Sequence, residues 1–71
     1  MINEVIRFQN DRVLVFDENG EQMPDLQGRY QDVRVKILAR APKEAKFYHG
    51  VWRPLLGRHQ GLKQEVSRKE W

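Results

Sequence analysis

The densest chemistry in this 71-residue chain lies in Lys46-Phe47-Tyr48-His49-Gly50-Val51-Trp52, where three aromatic rings, an imidazole and an ammonium fall within seven residues. Interleaved rings and cations of this kind suit single-stranded nucleic acid. Bases stack on rings for about 1–3 kcal/mol each, and cations track the phosphates. The same rings could equally fill a core, because a small domain needs large residues inside. His49 reads as a packed or surface histidine rather than a catalytic base.

Other chemistries are poorly supplied. His49 and His59 stand ten residues apart, which matches no common zinc spacing, and there is no cysteine to form a disulfide or a thiolate site. Ser67 is the only serine, threonine is absent, and the five glycines are isolated, so neither a nucleophilic triad nor a phosphate loop is written here. Asp17-Glu18-Asn19-Gly20-Glu21 is acidic, but it lacks the glycine at position six and the late glutamate of a calcium loop, and it reads as a turn. The expectation is a non-enzymatic binding module without cofactor or metal.

Charge is unevenly distributed. Residues 1–28 carry two cations and six acids, net −4, whereas residues 29–71 carry eleven cations and four acids, net +7. Such asymmetry suits a polyanionic partner, and it also suits two halves that neutralise each other in the fold. No apolar run approaches the roughly 20 residues of a membrane span. The opening residues do not resemble a signal peptide. The protein is expected to be cytoplasmic, with nucleic acid, an acidic protein or further copies of itself as partners and no membrane.

The elements that would position these groups read as strands at roughly 5–9, 12–17, 31–40 and 46–53, followed by a tail, 54–71, that could hold a short helix. Asn10-Asp11 is read as a two-residue hairpin turn. That register puts Ile6, Phe8, Val13 and Val15 on one face. Val5, Leu14 and Phe16 then share the other face, an apolar surface suited to an interface. Asn19-Gly20 marks a second turn, with a short return over Glu21–Met23 before Pro24. Residues 32–40 alternate Val33, Val35, Ile37 and Ala39 with Arg34, Lys36, Leu38 and Arg40, the period of a half-buried strand.

Two registers are open for a hairpin turning at Ala41–Ala45. With a five-residue loop, Tyr48 and Trp52 share an outer face with Arg34, Lys36, Arg40 and Lys46, and Arg53, Arg58 and Lys63 extend a phosphate track. With four residues the rings enter the core instead, since a one-residue slip inverts every side chain. The fold expected is all-β: a single domain over residues 1–71, built as a bent antiparallel meander of four or five strands and closed as an SH3-like or related open barrel. Ile2-Asn3-Glu4, Ile6-Arg7 and Glu18–Gln22 resemble the opening of the N-terminal domain of bacterial translation initiation factor three. That family continues into a long helix where this chain has Pro24 and Gly28, so the resemblance ends at Gln22 and implies no function.

Overall fold

The computed structural model describes the backbone of residues 1–55 and 58–71, and the side chains outside residues 52–60. Five strands form one mixed sheet in the order β3-β2-β1-β4-β5. They are β1 (Ile2–Phe8), β2 (Arg12–Asp17), β3 (Gly28–Arg29), β4 (Lys46–Leu55) and β5 (Arg58–Val66), with helix α1 (Tyr30–Arg40) between β3 and β4. The sheet has two free edges, so it is not a closed barrel, and the SH3-like expectation is not realised.

The first hairpin loop is one residue longer than its sequence suggests, because it begins at Gln9. Gln9, Asn10 and Asp11 make a three-residue loop, closed by the Asp11 amide donating to the Phe8 carbonyl at 2.9 Å. Asp11 takes the left-handed conformation, φ 62°, which aspartate tolerates better than most residues and which three-residue hairpin loops require. Val5 therefore faces Val15, Ile6 faces Leu14 and Arg7 faces Val13. The extra residue regroups the faces: Val5, Val13 and Val15 lie together, and Ile6 and Phe8 join Leu14 and Phe16 on the other side.

The second turn forms as its chemistry dictates. Gly20 has φ 82°, and the Asp17 carboxylate accepts hydrogen bonds from the amides of Asn19 and Glu21, both at 2.9 Å. The return amounts to a single bridge, Phe16 to Gln22, before a 3-10 turn at Pro24–Leu26.

Residues 31–40 are helical, not extended. Tyr30, Val33 and Ile37 recur at helical spacing, and Val33 and Ile37 are buried while Val35 is 72% exposed. Asp32 in the first turn and Arg40 in the last complement the helix dipole. Tertiary demand explains why this period wins. β4 runs parallel to β1, with Val5 opposite Phe47, and parallel neighbours need a crossover rather than a hairpin. The helix makes that crossover and covers the Val5, Val15 and Phe47 row. The core comprises Ile2, Val5, Val13, Val15, Leu26, Val33, Ile37, Phe47 and Trp71, all on this side of the sheet.

The tail, expected to offer at most a short helix, instead supplies β5, whose ladder with β4 runs from Phe47–Val66 to Leu55–Arg58. Trp71 does not fray. It is 2% exposed, with its ring edge-on to Tyr30 at 5.0 Å and to Phe47 at 5.1 Å between centroids. Arg68 fastens the segment by donating to the Pro42 carbonyl at 2.8 Å, with its guanidinium 5.0 Å from the Phe47 ring centre.

Candidate binding surfaces

The sheet has one covered face and one open one, and the residues singled out from sequence divide between them. Val5 is fully buried under α1, so it shares no surface with Leu14 and Phe16. Those two are half-buried on the opposite face, beside Ile6, Phe8 and Tyr48. Among the described residues, no element packs over that face.

Gly50 shapes its centre. A Cβ at this position would fall 2.8 Å from Ile6 Cγ2 and 2.8 Å from Phe8 Cε1. The missing side chain lets Phe8 and Ile6 close over the β4 backbone, and both are only 8% exposed. Tyr48, two residues earlier on the same face, is half-buried.

Two lysines on this open face are already matched by carboxylates. Lys63 lies 3.1 Å from a Glu4 carboxylate oxygen and 4.5 Å from the Tyr48 ring centre. Lys46 lies 3.9 Å from Glu65. Ion pairs this exposed are worth only about 0–1 kcal/mol, but they leave little net positive charge beside the ring.

The foreseen platform of Tyr48 among Arg34, Lys36, Arg40 and Lys46 is not assembled. Both registers considered for it presuppose a hairpin between residues 31–40 and 46–53, and α1 replaces one of its strands. Arg34, Lys36 and Arg40 stand exposed on α1, on the far side of the sheet from Tyr48 and Lys46. Arg34 donates from Nε to the Tyr30 hydroxyl at 3.0 Å. The side chains of Trp52, Arg53 and Arg58, and of His59, lie outside the described residues. His49 is exposed on the helix side of β4, opposite Arg7 in the ladder.

Several cations without a carboxylate partner gather on the helix layer. Among the described residues, none of Arg34, Lys36, Arg40, Lys43 and Arg68 has a carboxylate within 4.0 Å. Lys43 and Arg68 were not singled out from sequence. Arg68 reaches this layer only because the turn after β5 returns to Ala41 and Pro42, and no local signal announces that return.

The chain was compared with protein-family models, with curated proteins and with solved structures, and none of the three comparisons found a match. No helix among the described residues is long and apolar enough to cross a membrane.

Proposed function

We propose that the chain is a small non-enzymatic binding module that associates with nucleic acid through the helix layer. One observation carries this reading: Arg34, Lys36, Arg40, Lys43 and Arg68 are exposed on that layer with no carboxylate partner among the described residues, whereas Lys46 and Lys63 on the open sheet face are matched by carboxylates. Unmatched cations retain their counterion atmosphere. Releasing phosphate counterions drives association without sequence preference. The test is binding of a mixed-sequence oligonucleotide, single-stranded and duplex, across a salt series. A Lys36→Glu/Arg40→Glu variant should flatten the log–log salt slope by about one unit per lost phosphate contact. Lys63→Ala should leave the slope unchanged. Binding indifferent to salt would sink the reading, and binding to an acidic protein alone would redirect it.

A second reading, a protein-interaction module, is favoured by the open face itself, where half-buried Leu14, Phe16 and Tyr48 lack a covering layer among the described residues. A partner there should shift the amide signals of these three residues. Shifts confined to α1 would remove its support.

A further inference from the structure

The two edges of the sheet are not treated alike. β3 is two residues long and leads straight into α1, and a very short edge strand offers little to a pairing neighbour. β5 is nine residues long and lies at the other edge. Over residues 61–66 it pairs with β4 on one side and, among the described residues, with no strand on the other. A lysine on such an edge ordinarily discourages pairing with another chain. Here Lys63 is followed by Gln64 and then Glu65, and that order changes what the edge repels.

We propose that the protein forms a homodimer by antiparallel pairing of β5 with β5 of a second copy, in a register centred on Gln64. A two-fold axis at Gln64 sets Lys63 opposite Glu65 of the second copy, and Glu65 opposite its Lys63. Both side chains belong to the open face, since their β4 partners are Gly50 and Tyr48. The same register sets Leu62 opposite Val66 of the second copy on the helix side. Leu62 is 44% exposed, one of the few large apolar side chains among the described residues that are. Val66 already packs against the core. The pattern Leu-Lys-Gln-Glu-Val thus complements itself when reversed, with opposite charges paired and apolar residues paired. Shifting the register by two residues either way loses these matches.

The product is one continuous ten-stranded sheet, twice the five strands of each copy. The axis stands perpendicular to the sheet, so both α1 helices lie on the same side. The proposal uses the edge of β5 rather than the helix layer, and it does not depend on the nucleic-acid reading.

The chain has no cysteine, which makes cross-linking a clean test. Residues directly opposite in an antiparallel pair have Cα atoms about 4.5–5.5 Å apart, within disulfide range. Gln64→Cys should therefore oxidise to a covalent dimer, while Leu62→Cys, whose counterpart lies four residues away along the strand, should not. Charge reversal gives a second test that leaves the backbone alone. Lys63→Glu and Glu65→Lys should each weaken self-association about tenfold in sedimentation, because each sets two like pairs face to face. Mixed together, the two variants should associate with each other, since every opposing pair is then Lys with Glu. Wild-type protein that sediments as a monomer at millimolar concentration would overturn the proposal. So would equal cross-linking of Leu62→Cys, or variants that fail to recombine while their circular dichroism shows them folded.

Discussion

The guanidinium of Arg7 lies 3.6 Å from the centre of the Tyr30 ring. The same group donates to the Asp11 carboxylate at 2.9 Å and to the main-chain oxygen of Trp71 at 3.0 Å. Arg7 stands on the helix side of β1, so one side chain ties the first hairpin loop, the start of α1 and the segment after β5. Arg7→Ala should cost about 2 kcal/mol, combining a partly desolvated cation–π contact with a hydrogen bond to a carbonyl. Arg7→Lys should recover less than half of that, because an ammonium cannot stack on the ring and bridge two acceptors at once. Urea midpoints of the two variants check both values.

Gly50 tests the packing of the open face. Gly50→Ala would press a methyl against Ile6 and Phe8, with contacts of 2.8–2.9 Å. The expected loss is about 1–3 kcal/mol, the usual cost of overpacking. Combining it with Phe8→Leu should return part of the stability, because the smaller side chain vacates the space. A thermal melt showing Gly50→Ala unchanged would mean that Phe8 does not lie across β4.

Trp71 should behave as a core residue. Its ring is buried against Tyr30 and Phe47, so Trp71→Ala should cost about 3–5 kcal/mol, which is most of the stability of a chain this small. Trp71→Phe should cost much less. It keeps an edge-on aromatic contact and removes an indole N–H that is buried with no acceptor among the described residues. In the Trp52→Phe background, blue-shifted emission from Trp71 would report the burial directly.

Val35 and Ile37 separate helix from strand. On an extended segment the two would share one buried face. On α1, Val35 is 72% exposed and Ile37 is fully buried. Val35→Glu should therefore change stability by no more than about 0.5 kcal/mol, whereas Ile37→Ala should lose about 2–5 kcal/mol. Comparable losses from both would restore the strand reading.

Local chemistry in the sequence was enough to place the first two strands and the Asn19-Gly20 turn, because β-branched runs and left-handed turn residues act over a few positions. The absence of cysteine likewise ruled out disulfides in advance. What local chemistry left open was decided by partners distant in the chain. Residues 31–40 satisfy a two-residue period through Val33, Val35 and Ile37 and a helical period through Tyr30, Val33 and Ile37. The tie breaks only because β4 lies parallel to β1 and the Val5–Val15–Phe47 row needs a cover. The loop after Phe8 differs from expectation by one residue, yet that residue decides whether Val5 is core or surface. Arg34, Lys36 and Arg40 were recognisable as cations, but which side of the sheet they occupy follows from the helix, and so does their separation from Tyr48. Trp71 reaches Arg7 across 64 positions, a contact that no periodicity encodes and that only the closing of the β4–β5 hairpin onto the core brings about.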